Sequence, residues 1–165
     1  MFEKSIRGLR RGLTLGCAAL TMSNIGVQAM TDNLKTLAPC PPSPNCVCSD
    51  EDPSSSQYIA PFVSQTSEAT PDSTNAKALL AAIAAYVETR SEFRIVKQDE
   101  YGLQIEARSR LLRFVDDIEM RVRGNSVVVR SASRVGYSDL GKNRRRLESI
   151  RQALIAQGLV QPNNS

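Results

Sequence analysis

The stretch RFVDDIEMRVRGNSVVVRSAS, residues 113–133, decides how this chain folds. Gly124 and Asn125 stand between two runs of alternating apolar and polar residues, the pattern of a β-hairpin closed by a two-residue turn. That turn sets Arg123 opposite Ser126, Val122 opposite Val127, Met120 opposite Val129 and Ile118 opposite Ser131. Side chains flip at every residue of a strand. One face therefore carries Phe114, Asp116, Ile118, Met120 and Val122 with Val127, Val129, Ser131 and Ser133. This is the face to bury, and it turns polar where Asp116 meets Ser133. The other face sets Glu119 against Arg130, a charge pair of modest worth.

Upstream, EFRIVKQDEYGLQIEARS (92–109) reads as another hairpin, with Phe93 and Ile95 facing Leu103, Ile105 and Ala107. Before it, STNAKALLAAIAAYVETR (73–90) is a helix capped by Ser73 or Thr74. It has Leu79, Leu80, Ile83, Tyr86 and Val87 on one side. After the 113–133 hairpin, DLGKNRRRLESIRQALIAQG (139–158) is a final helix with an apolar stripe of Leu140, Leu147, Ile150 and Leu154, and Gly158 just past its end. The fold class is α+β: an antiparallel four-stranded meander with an N-terminal and a C-terminal helix on one face. On the final helix, Asn143 falls within the stripe and Arg144 beside it, both leaning toward Asp116, Ser131 and Ser133, while Arg145 and Arg146 point away. The chain divides into residues 1–29, a Cys/Pro loop and Ser/Thr/Pro-rich extended segment over 30–75, an α+β core domain over 76–158, and a tail over 159–165. Within the extended segment, QYIAPF (57–62) is apolar enough to dock as a short strand or clip.

The formal charge of +4 is unevenly spread. Residues 1–29 read as an export signal: a basic start with Lys4, Arg7, Arg10 and Arg11, an apolar run over 13–27, and small residues around Ala29 for cleavage. The paired arginines hint at twin-arginine export, and LTLGC ending at Cys17 offers lipid anchoring as a lesser alternative. The rest has seventeen basic and sixteen acidic residues, a net of +1, with no transmembrane span expected in the mature chain. Residues 30–89 sum to −5 and residues 90–165 to +6. A near-neutral chain with one basic half fits a local anion site rather than a nucleic-acid surface, which needs many phosphate contacts.

In APCPPSPNCVCSD (38–50), three prolines stiffen the span between Cys40 and Cys46, and five intervening residues can close into a disulfide loop. Zinc would lack a fourth ligand, because three cysteines stand there and the chain has no His. Cys48 is the odd thiol: buried, free or paired between molecules. The absence of His also excludes the ordinary Ser–His–Asp and Cys–His nucleophile systems. No Gly-rich phosphate loop, dinucleotide fingerprint or calcium loop is present, and no cofactor or metal is expected.

Asp116, Asp117 and Glu119 form a tight carboxylate group. Neighbouring strand residues face opposite sides, so Asp116 and Asp117 do not easily share a ligand. Instead Asp117 and Glu119 turn outward to arginines, and Asp116 buries against Ser133 and Arg144. The basic segment RSASRVGYSDLGKNRRR (130–146) has two readings. In one, the hydroxyls of Ser131, Ser133 and Ser138, a helix N-terminus and an arginine fork hold phosphate, sulfate or carboxylate. In the other, an Arg–Asp network locks the last strand to the last helix. The candidate ligand-binding residues are Arg130, Ser131, Ser133, Arg134, Tyr137, Ser138, Asp139, Asn143, Arg144 and Asp116.

Three motifs in this order, PCPPSPNCV, RFVDDIE and RSASRVGYSDLGKNRRRLESIR, resemble the bacterial and plastid family designated domain of unknown function 1499, over residues 37–157. The motif positions fall on Cys40, Ser43, Pro44, Asn45 and Cys46, on Phe114, Asp116, Asp117 and Glu119, and on residues of the 130–144 segment, including Gly136. Cys48 departs from the family's Ser. The resemblance implies no assigned activity. It implies export, to a periplasm or thylakoid lumen. The expected function is non-catalytic binding of a small anion or acidic partner through residues 130–144. The alternative is a structural or assembly factor of an envelope or thylakoid complex, docking through QYIAPF and the Cys loop. An enzyme using Asp116 ranks third.

Overall fold

The computed structural model describes residues 36–66, 73–109 and 113–162; the export-signal reading and Cys17 lie outside them. The chain forms β1 (Cys46–Cys48), β2 (Phe62–Val63), α1 (Thr74–Glu88), β3 (Phe93–Gln98), β4 (Gly102–Arg108), β5 (Val115–Arg123), β6 (Ser126–Ser133) and α2 (Lys142–Ala156). It is a mixed α/β fold with one six-stranded sheet. The strands run β1-β6-β5-β4-β3, and β2 also pairs with β6. The named strand pairs are antiparallel.

The β5–β6 register is the one the Gly124-Asn125 turn dictates: Arg123 faces Ser126, Met120 faces Val129, Ile118 faces Ser131 and Asp116 faces Ser133. Gly124 adopts a positive φ of 56°, as a tight hairpin turn of this hand requires. Burial alternates residue by residue along β5. Its inward residues join β4, α1 and α2 in one core built on Ile105, Ile118, Met120, Val129, Ile83 and Leu147.

The four consecutive strands β3 to β6 are thus part of a wider sheet. The two extra strands come from the segment that composition assigns to a loop and linker. Val47, Ile59 and Phe62 enter the main core, and Val160, in the expected tail, is buried there and bridges back to Ser64. Two- and three-residue strands carry no period of their own. They form because the outer edge of β6 offers unpaired amides and carbonyls. QYIAPF is consequently spent inside the molecule, with Ile59 and Phe62 buried, rather than displayed for docking.

On the opposite face, Leu37, Cys48 and Val128 make a smaller cluster with Cys40 against it. The Cys40–Cys46 disulfide ties this lead to β1, and Cys48 is a buried free thiol. Asp50 completes the tie. Its carboxylate accepts from the Leu37 amide at 3.0 Å and from Arg123 Nη2 at 2.9 Å. The Arg123 hydrogen bond, aided by the Leu37 amide and opposed by burial, holds the Asp50 carboxyl below the usual carboxylate range. A carboxyl that binds protons less readily folded than unfolded stabilises the fold above its unfolded value, about 3.9, and loses that contribution as pH falls through its lower folded value. We expect Asp50→Asn to be less stable than the wild type near neutrality. The gap should close below about pH 4, read as urea midpoints across an acid series. A gap that persisted unchanged into strong acid would show that the ionised carboxylate contributes nothing.

Candidate functional site

The polar end of the core centres on Asn143, fully buried on the first turn of α2. Its Oδ1 accepts from Ser131 Oγ (2.6 Å) and Arg146 Nη1 (2.8 Å). Its Nδ2 donates to the Asn45 carbonyl (3.0 Å) and to Ser133 Oγ (3.1 Å). Asn143 thereby joins β6, the Cys loop and α2, with its amide capacity filled. Asp116, 3% exposed, accepts from Arg146 Nη2 at 2.5 Å.

The expected partner of Asp116 was Arg144, with Arg146 turned away; the structure reverses these two. On a helix Arg146 lies about 60° from Asn143 and Arg144 about 100°. Arg146 therefore shares the sheet-facing side, and Arg144 reaches across to the carbonyls of Ser56 and Tyr58 at 2.8 and 2.6 Å. Leu140 also differs from expectation. It precedes the helix, has φ 55°, and is 83% exposed instead of lying in the apolar stripe. A left-handed backbone costs a non-glycine residue about 1 kcal/mol. Here it is fixed from both sides: Asp139 accepts from the Gly141 and Asn143 amides (2.9 and 2.6 Å), and Arg145 Nη1 donates to the Leu140 carbonyl at 2.7 Å.

The other expected site residues divide between internal partners and solvent. Arg134 donates to Asp117 and Glu106 on the outer sheet face, and those hydrogen bonds raise its pKa. Ser138 Oγ accepts from the Leu140 amide, and Tyr137 is exposed. Arg130 faces Glu119 across the strands as the register requires, but Glu119 accepts from Arg121. The Nε of Arg130 is buried without a hydrogen-bond partner among the described residues. Asp139 fills the amides at the start of α2, so that helix N-terminus is not open to an anion. A cleft of about 250 Å³ on this outer face sets Asp117 and Glu119 against Arg130 and Arg134, an even balance of charge.

A different cleft, of about 350 Å³, opens where α2 crosses the end of α1 and of the β3–β4 hairpin. Among the described residues its cations are Arg90, Arg108, Lys142, Arg145 and Arg146, and Glu92 is its one carboxylate. Tyr86, Phe93 and Ile150 give it apolar wall, and Ser109 and Ser149 give it hydroxyls. Arg90 lies over the Tyr86 ring, 4.9 Å from its centre, and donates to its hydroxyl at 2.9 Å. Arg146 is neutralised from behind by Asp116. The lining keeps an excess of positive charge in a concave, partly apolar setting, where an anion would be held by forked and point donors together. Residues 130–144 contribute Lys142 to this cleft and supply the Asn143 scaffold behind it. Arg90, Arg108 and Ser149 had escaped sequence reasoning. The 92–109 hairpin does place Glu92 beside Arg108, whose amide donates to the Glu92 carbonyl at 2.8 Å, but nothing local brings α2 over them.

Among the described residues, no group of three or more Cys, Asp or Glu is placed to hold a metal ion, and no helix is long and apolar enough to cross a membrane. A family model described as protein of unknown function (DUF1499) matches residues 36–154. No curated protein and no solved structure matches the chain.

Proposed function

The chain belongs to the DUF1499 family, and we propose that it binds a small anion, phosphate, sulfate or a carboxylate, without catalysis, in the basic cleft between α2 and the β3–β4 hairpin. The observation that carries this reading is the set of five cationic side chains, one of them paired with Asp116 from behind, that line with Glu92 as the one lining carboxylate among the described residues a cavity of small-molecule size. The sealed, ion-paired Asp116 supports binding over catalysis, because it is the carboxylate a reaction would have needed open. An exported, oxidising compartment is part of the same reading, supported by the Cys40–Cys46 disulfide.

A thermal-shift series across inorganic phosphate, sulfate and simple carboxylates tests it. A ligand at a hundredfold above its Kd adds about 2.7 kcal/mol, several degrees of Tm for a chain of this size. Arg108→Ala with Lys142→Ala should cut the affinity at least about tenfold, the loss of roughly 1.4 kcal/mol of charge-assisted bonding, while the unliganded Tm stays put. A wild-type protein indifferent to the whole anion series would overturn the proposal.

A further inference from the structure

Four of the six exposed large apolar side chains among the described residues lie at the end of the molecule that holds the basic cleft: Phe114, Val135, Tyr137 and Leu140, 51–83% exposed. Phe114 and Leu140 touch its rim on two sides. The Phe114 amide donates to Ser109 Oγ at 2.9 Å and the Ser109 amide to the Phe114 carbonyl at 2.9 Å; Ser109 lines the cleft. Arg145, also in the cleft, donates to the Leu140 carbonyl. The Arg134 amide donates to the Val115 carbonyl at 3.2 Å, which sets the Phe114 and Val135 ends of the two strands side by side. Leu140 is held in its outward pose by the Asp139 cap, whose two carboxylate oxygens each accept from a backbone amide.

An apolar residue on a fixed loop, an exposed Tyr three residues before it in the same loop and cations nearby make the composition that settles at a lipid–water interface. Resting on the anion-binding reading, we infer that this end of the molecule docks on an anionic membrane surface. Leu140, Tyr137, Val135 and Phe114 enter the headgroup region, and the cleft takes the phosphate of an anionic lipid. The charge at this end selects this occupant: Arg113 and Arg145 are exposed, Lys142, one turn before Arg145, is half-buried, and Asp139 and Asp117 are engaged by amides and by Arg134.

The test is vesicle flotation of the full chain with phosphatidylcholine alone and with an equimolar phosphatidylcholine–phosphatidylglycerol mixture, beside calorimetric titration with inorganic phosphate. The wild type should float with the anionic vesicles only, less so at high salt. Tyr137→Ser with Leu140→Asn, which adds no charge, should lower vesicle affinity at least tenfold and leave phosphate affinity unchanged, because neither side chain lines the cleft. Arg108→Ala with Lys142→Ala should lower both. Both loop positions are solvent-exposed, and an unchanged Tm verifies folding. Phosphate binding without flotation overturns the lipid inference and leaves the small-anion reading standing. Flotation that survives the loop substitutions, as it would if another segment carried it, or that ignores phosphatidylglycerol, also overturns it. Failure of phosphate and vesicles alike removes both readings.

Discussion

Arg151→Ala is expected to lower the unfolding free energy by about 3–5 kcal/mol, the range for breaking a buried charged network from one side. Arg151 is the largest of the fully buried side chains. Its fork donates to the carbonyls of Pro61 (2.9 Å) and Ala60 (2.5 Å), its Nε to Glu148 at 3.0 Å, and its guanidinium lies 4.2 Å from the centre of the Phe62 ring. Burial lowers its pKa, with Glu148 acting in opposition. Truncation leaves two carbonyls without donors, each worth about 1–3 kcal/mol when sealed from water, and a cavity under Phe62. Arg151→Lys should fall between, because a single ammonium cannot reproduce the fork geometry. The readout is the urea midpoint together with amide exchange in β2, which Arg151 clamps to α2. If Arg151→Ala cost less than about 1 kcal/mol, the side chain would not be what holds the 60–63 segment in place.

The second large effect concerns Asp116. Asp116→Ala should cost about 3–5 kcal/mol, because it leaves the mostly buried Arg146 guanidinium without its carboxylate. Replacing both partners by apolar residues of similar size, Asp116→Leu with Arg146→Met, should recover most of that loss, since an ion pair taken out of water contributes little net stability. The double variant should still bind phosphate more weakly than the wild type, because Arg146 has left the cleft wall. Equal destabilisation of the single and double variants would assign the cost to packing at this site and not to a stranded charge. A full double-mutant cycle separates the two.

The central hairpin was legible residue by residue because a two-residue turn and a period of two leave one register that buries Ile118, Met120 and Val129 together. The helices were legible from their period, and the disulfide from a short proline-stiffened loop. The strands β1 and β2 were not, since segments of three and two residues have no pattern to read. The choice between Arg144 and Arg146 was missed for another reason. Three chemically identical side chains follow one another, and each can reach about 6–7 Å from the backbone, so the helical wheel ranks them only once the helix's seat on the sheet is known. Leu140 was misplaced because the apolar stripe was extended back to two residues before a helix that begins at Lys142, into a positive-φ turn whose backbone no hydrophobic pattern encodes.

By itself the amino-acid sequence determined which face of the four longer strands and of the two helices is apolar, where the hairpin turns, and that the C-terminal half is basic. These are local matters, set by backbone periodicity and steric limits within a few residues. Tertiary structure alone decided that Arg90 and Arg108 stand with Lys142, Arg145 and Arg146 around one cavity, and that Arg146 rather than Arg144 turns to Asp116. The cause is the packing of α2 across the sheet. It brings together charges that are distant along the chain, and the energy that does so is apolar burial by Leu147, Ile150 and Leu154, which carries no record of the cations it places side by side.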